Sequence, residues 1–159
     1  MDREGSTTAS FLICRDDGRL CAFALADVAE TMRPLPVQAL QGMPPFLLGV
    51  SLIRGAMLPV VNLAMLIGDA GMRNDSKHSR YVSLKLGPRR VAIAVQEVLG
   101  VRKLDGETLA GMPALLYEVG ADAISAISVL DTELLLVLKG AHLISESVWL
   151  ALEKDVVHA

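Results

Sequence analysis

The sequence predicts an all-β protein made of two small barrels packed together, and three observations carry that expectation. Short β-branched and apolar runs separated by Gly, Pro and Asp dominate the chain, the pattern of strands joined by turns. The pattern occurs twice in the same order. With 159 residues, 52% hydrophobic and 21% charged, the chain can bury a sizeable core and needs no disulfide or metal to fold.

Taken in chain order, Phe11 to Arg15 and Leu20 to Ala24 flank Asp16-Asp17-Gly18-Arg19, whose Asp-Gly step supplies the positive φ of a hairpin turn. Ala26 to Thr31 is expected to form a turn of helix at the strand exit. Met43-Pro44-Pro45-Phe46 reads as a rigid lead-in to a strand, because its prolines fix φ and no repeated Pro-x-x-Pro follows. The apolar segment Val50 to Pro59 contains Gly55, which permits a sharp turn. Leu63 to Ile67 gives a second helical turn, ended by Gly68. Polar Asp69 to Arg80 reads as an exposed crossover loop. Tyr81 to Leu86 and Arg90 to Val95 flank Gly87-Pro88 as another hairpin. Ser145 to Val156 places Val148, Trp149, Leu152 and Val156 on one face of an amphipathic C-terminal helix. Trp149 there reads as a packing anchor in preference to a binding hot spot.

The repeat is visible by overlay. Leu20-Cys21-Ala22-Phe23-Ala24-Leu25-Ala26-Asp27-Val28 matches Arg90-Val91-Ala92-Ile93-Ala94-Val95-Gln96-Glu97-Val98 in apolar pattern, and the stretch from Gly49 to Val61 matches Ala126 to Leu138. Ala64, Leu66 and Ile67 then meet Ala141, Leu143 and Ile144. The halves span about 11–68 and 80–144, followed by a helix over about 145–156. Small β units remove their open edges by closing, which is why two barrels are expected.

Composition narrows the function classes. A net charge of −3 gives no basic footprint for a nucleic-acid backbone and no polybasic stretch for an anionic membrane surface. Arg54, Asn62 and Gly68 interrupt the longest apolar run, so no segment is expected to insert into a membrane. Met1 to Ser10 lacks the basic and apolar regions of a signal peptide, so a cytoplasmic location is expected. Cys14 and Cys21 read as small buried apolar residues, with a disulfide or redox role as the alternative. The three histidines, His78, His142 and His158, do not pair, and no His-rich or Cys-x-x-Cys spacing offers a metal cage. Phosphate-cradling glycine loops and the Gly-x-Ser-x-Gly elbow are also absent. No catalytic residue, cofactor or metal is therefore expected. The rivals are a small-molecule-binding or catalytic β barrel, which needs converging polar residues, and an oligonucleotide-binding barrel, poorly equipped by 4% aromatic content.

Arg54 is the leading binding candidate, since it interrupts an apolar segment beside Gly55. Its counterpart in the second half is Asp131, an asymmetry that barrel geometry alone does not require. A solvated turn arginine is the competing reading. Val28 and Glu30 follow the first hairpin and either join the same face or represent a core valine beside a surface glutamate. Met57 and Met65 are expected to fill core gaps.

Leu47-Leu48-Gly49-Val50-Ser51-Leu52-Ile53-Arg54-Gly55-Ala56-Met57-Leu58-Pro59-Val60-Val61-Asn62-Leu63 resembles the signature segment of the CheW family, in which Gly-Val-x-Asn-Leu-Arg-Gly precedes an apolar strand. Tyr81 to Val101 resembles that family's second hairpin and its exit, and Ile124 to Ile144 its last strand pair. The sequence departs from the family pattern at Leu52, Asn62, Ala64, Ala92, Gln96 and Lys139. The resemblance implies two SH3-like five-stranded barrels on a shared hydrophobic interface, with short connecting helices. It also implies a non-enzymatic adaptor that links the cytoplasmic tip of a methyl-accepting chemoreceptor to the CheW-like regulatory domain of a CheA-type histidine kinase. Receptor contact is then expected in a groove near Val28, Glu30, Gly49 and Arg54, within receptor arrays at the membrane.

Overall fold

Turn chemistry sets the strand limits in the computed structural model, which describes residues 8–67, 78–105, 110–111 and 124–157. β1 (Thr8–Asp16) and β2 (Arg19–Ala24) meet at Asp17 and Gly18, whose φ of 52° and 78° is the positive pair of a type I′ turn. A 3₁₀ turn at Leu25–Asp27 leads into β3 (Val28–Met32). β4 (Leu47–Ile53) and β5 (Ala56–Asn62) turn through Arg54 and Gly55, at φ 53° and 81°. Asn62 caps α1 (Leu63–Ile67), its Oδ1 accepting from the Met65 amide at 3.3 Å. β6 (Arg80–Leu86) and β7 (Arg89–Val95) flank Gly87, which takes φ 69° at the first turn position. β8 (Glu97–Asp105), the short β9 (Ala110–Gly111), β10 (Ile124–Leu130), β11 (Glu133–Leu138) and α2 (Glu146–Val157) follow.

Five strands make one barrel, in the order β3-β6-β7-β5-β4; the other is ordered β8-β1-β2-β11-β10-β9, with β9 as a short sixth member. The barrels do not follow the sequence halves. Each takes one hairpin, β1–β2 or β6–β7, from one half and its other strands from the other half. The joints between halves include two parallel pairings: residues 20–23 of β2 beside 135–138 of β11, and 60–62 of β5 beside 92–94 of β7. Neither half can therefore close its barrel without the other.

Side-chain alternation then builds three cores. On β1 and β2, Phe11, Ile13, Leu20 and Ala22 point into the six-stranded barrel, while Leu12, Cys14, Cys21 and Phe23 point the opposite way. On β7, Ala92 and Ala94 fill the five-stranded barrel while Val91, Ile93 and Val95 face outward. The outward faces meet in one shared cluster with Val61, Val82, Leu84, Trp149 and Leu152. Burial on both faces explains why these strands read as unbroken apolar runs rather than alternating ones. Cys14 and Cys21 are direct cross-strand partners and free thiols inside this cluster. Burial pushes the Cys14 thiol up to about 12 and raises Cys21 as well, so both stay neutral.

Two local expectations are corrected. Val28 to Thr31 is strand rather than helix, because Val28, Glu30, Thr31 and Met32 pair with β6 and that ladder outweighs the weak local helical signal. Met57 does not fill a core gap: Leu58 and Val60 take the inward positions of β5, which leaves Met57 on the outer face. The expected crossover, Asp69 to Arg80, lies outside the described residues over 69–77; of the rest, His78 and Ser79 precede β6 and Arg80 begins it.

Asp16 ties the barrels together at the end of β1. Its buried carboxylate accepts from the Ala64 amide at 2.9 Å, at the start of α1, and from the Gln96 amide at 3.1 Å, between β7 and β8. Burial raises its pKa from 3.8 to about 6, against the pull of both hydrogen bonds and with a smaller push from Asp17. Folding thus favours its protonated form. That contribution is complete below the unfolded carboxylate range and is lost as pH rises through about 6.

Two outcomes follow from these features. Asp16→Asn removes the titration, so the urea midpoint of the variant should gain on that of the parent between about pH 4 and about pH 7.5; parallel profiles would show that Asp16 does not titrate in this range. Thr132, a β-branched residue at φ 72° in the β10–β11 turn, stands where the β4–β5 turn has Gly55. Thr132→Gly should stabilise the protein by about 1 kcal/mol in denaturant unfolding, through relief of left-handed backbone strain.

Candidate functional site

The five-stranded barrel closes between its edge strands, β3 and β4, and three of the four sequence candidates lie at that seam. Arg54 sits at the tip of the β4–β5 turn and reaches Glu30 of β3 through two parallel bonds, Nε to Oε2 at 2.9 Å and Nη2 to Oε1 at 2.8 Å. The fork fixes the guanidinium plane. It also holds the Glu30 carboxyl below its ordinary pKa, with the Arg54 hydrogen bond as the leading cause. The arginine side chain remains 73% exposed and the glutamate 29%. A charge this open, already oriented by its partner, is available to a second molecule.

Gly49 serves the same seam through the backbone. The segment 33–46 crosses between β3 and β4, and Gln38 pairs with Val50 by two backbone bonds of 2.8 and 2.9 Å. Any Cβ at Gly49, which has φ 144°, would stand 2.1 Å from the Gln38 carbonyl oxygen. Ser51 Oγ donates to the Pro36 carbonyl at 2.8 Å and Tyr81 Oη to the Leu35 carbonyl at 3.3 Å, which fastens the segment further. Val28 differs from the other three. It pairs with Leu84 on β6 and packs against the shared cluster, so it shapes the strand that carries Glu30.

The six-stranded barrel repeats the device with the charges exchanged. Asp131, the counterpart of Arg54, meets Arg102 of β8 at 3.4 Å, and Arg15 of β1 forms a two-bond fork with Glu133, each bond 3.0 Å. The sign difference between Arg54 and Asp131 is thus matched by an opposite sign on the facing strand of each barrel. Sequence reasoning found Arg54 and its asymmetry but not these pairings, since nothing local joins residues so far apart in the chain.

It also missed two apolar pairs beside the turns. Leu52 and Met57 face each other across β4 and β5, at 63% and 42% exposure. Val129 and Leu134 do the same across β10 and β11, at 60% and 65%. Single exposed apolar residues are ordinary; two directly paired sets at equivalent hairpins are a patterned surface. The signal was present in the overlay, where Leu52 meets Val129 and Met57 meets Leu134.

Helix α2 packs against the outer end of the shared cluster. Trp149 is buried, as a packing anchor, with the Arg89 guanidinium 5.0 Å from its ring centroid. Arg89 also forks onto Glu146 at 2.7 and 2.9 Å and binds Glu153 at 3.0 Å, so one face of the helix is clamped to the β6–β7 turn. An open cleft of about 330 Å³ lies between α2 and the β4–β5 hairpin, lined mainly by apolar side chains including Val50, Met57, Pro59 and Leu152. Among the described residues no three of His, Cys, Asp or Glu are grouped to hold a metal. No helix of the described residues is long and apolar enough to cross a membrane. His78 is half-buried two residues before β6, His142 lies exposed in a 3₁₀ turn, and His158 is outside the described residues.

Comparison with known proteins bears on this arrangement directly. The solved structure of the scaffolding protein TtCheW from Thermoanaerobacter tengcongensis superposes with a TM-score of 0.77, covering 89% of this chain and 96% of that one, at 20% identity. A likeness at that identity establishes the fold, two SH3-like barrels. The curated proteins provide no sequence match. The family model of the CheW-like domain matches residues 10–148, which takes in both barrels, the charged seams and the start of α2. This chain belongs to the CheW-like domain family.

Proposed function

We propose that the chain is a non-enzymatic adaptor that binds the cytoplasmic tip of a methyl-accepting chemoreceptor and the CheW-like regulatory domain of a CheA-type histidine kinase, at receptor arrays in the cytoplasm. The observation that carries the receptor half is the Arg54 guanidinium, exposed yet held in one orientation by Glu30 at the rim of the five-stranded barrel. Binding loses less side-chain entropy when the donor fork is already fixed.

In this reading Arg54 contacts the receptor, Glu30 orients it, and Gly49 and Val28 keep the seam and strand β3 in shape. A helical hairpin is the suitable partner form, since helices present apolar residues to a groove and polar ones to its rim. The kinase domain docks barrel to barrel. No chemistry is required: holding receptor and kinase in one assembly raises their effective concentration, and differential affinity for two kinase states shifts their populations.

Arg54→Ala should weaken binding of a purified receptor tip by about tenfold, as the loss of a binding hot spot does, and leave the thermal midpoint nearly unchanged because the ion pair is exposed. Titration calorimetry with the receptor fragment and a thermal melt of the same variant check both halves of the statement. Undiminished receptor binding would remove Arg54 from the contact; a large fall in midpoint would make it structural.

A further inference from the structure

The β1–β2 turn reaches across the joint between the barrels and grips the far side at several points. β5 and β7 are parallel neighbours that end side by side, with Asn62 in register with Ala94. Two residues beyond that pair, each strand exit presents a backbone amide to the same carboxylate: Ala64 donates to Oδ2 of Asp16 at 2.9 Å and Gln96 to Oδ1 at 3.1 Å. The turn is tied beside these bonds as well. The Asp17 amide donates to Oε1 of Gln96 at 3.0 Å, and Nη1 of Arg19 donates to the Ile67 carbonyl at the end of α1 at 3.1 Å. Asp16 itself is 1% exposed.

From this geometry we infer that Asp16 is a proton-operated latch between the barrels: ionised, it holds both strand exits; protonated, it releases Gln96 and keeps Ala64. An ionised carboxylate accepts through both oxygens, whereas a protonated one carries a hydroxyl that must find an acceptor. Both partners here are donors, so one of the two bonds is incompatible with the proton. The bond to Gln96 is the longer and lies in a part-buried position where water can replace the carboxylate; the bond to Ala64 is buried and has no such substitute. Burial penalises the charge while the two amides favour it, and these opposed effects place the change of state near pH 6. Among the groups around it, Asp17 adds a smaller push in the same direction, Arg19 is engaged by the Ile67 carbonyl, and the Cys14 and Cys21 thiols stay neutral. α1 carries no ionisable side chain, and Glu97 pairs with Arg15 across the β1–β8 ladder. His78 precedes Ser79, which bonds to Val95 and Gln96, and it too changes charge at mildly acid pH, because burial holds its pKa below the ordinary value. The latch belongs to the chain alone and does not rest on the receptor and kinase reading.

Nuclear magnetic resonance of the full chain between about pH 4.5 and about pH 7.5 provides the test. The side-chain carboxyl carbon of Asp16 and the Gln96 amide proton are expected to titrate with one shared midpoint, near pH 6. Solvent exchange of the Gln96 amide, relative to its intrinsic rate, is expected to be about fivefold faster in the acid form, as the loss of one hydrogen bond implies. The Ala64 amide, and the Ala92 amide inside the five-stranded barrel, should keep their protection. The same titration in His78→Gln should leave the midpoint in place, and in Asp16→Asn the Gln96 amide should lose it. The parent and His78→Gln titrations stand on their own if Asp16→Asn does not fold. An Asp16 carboxyl that does not titrate in this range, a Gln96 amide equally protected in both forms, or a midpoint that vanishes in His78→Gln overturns the latch. So does a Gln96 midpoint that persists in folded Asp16→Asn.

Discussion

The structure depends on strands that are buried on both faces. β1, β2 and β7 have no solvent face to spare: alternate residues serve a barrel interior and the shared cluster, as Ile13 and Cys14 do on β1 or Ala92 and Ile93 on β7. That arrangement is possible because the hairpins β1–β2 and β6–β7 are each inserted into the barrel completed by the other sequence half. Volume is apportioned accordingly. On β7 the five-stranded interior takes the small Ala92 and Ala94 while the shared cluster takes Val91, Ile93 and Val95, and Asp16 closes the polar end of the joint. A side chain of different volume at either position would meet close-packed neighbours on its own side.

Exposed charge is thereby displaced to the rims. With the central strands enclosed, exposed chemistry collects at the turns and edge strands, where Glu30 pairs with Arg54 and Arg102 with Asp131. Each turn residue has a structural partner and an exposed side chain at once. The clamp of Arg89 on α2 works on the same principle: the cation lies over Trp149 and between two glutamates, and fixes the helix that borders the apolar cleft.

Legibility in the sequence followed the range of the interactions. The hairpins could be read from Asp17-Gly18 and Gly87-Pro88, and the helix anchor from Trp149, because turn and helix signals are local. The recurrence of the apolar pattern was also legible, but the exchange of hairpins was not. Parallel pairings such as Val60 with Ala92 join distant segments and leave no mark in either one. The same reason hid the ion pair of Glu30 with Arg54, the contact of Asp16 with Ala64, and the strand character of Val28–Met32, which comes from pairing with β6. Arg54 was found because a charge in an apolar run is anomalous by itself; the exposure of Leu52 and Leu134 was missed because an apolar residue in a strand is not anomalous.

If hairpin exchange is the central constraint, the two barrels cannot open separately. Native-state hydrogen exchange at the amides of Ala22 in β2 and Ala92 in β7 measures this, since one lies in each barrel. The account predicts the same opening free energy at both, equal to that of global unfolding. A difference of about 2 kcal/mol or more between them would show independent barrels and contradict it.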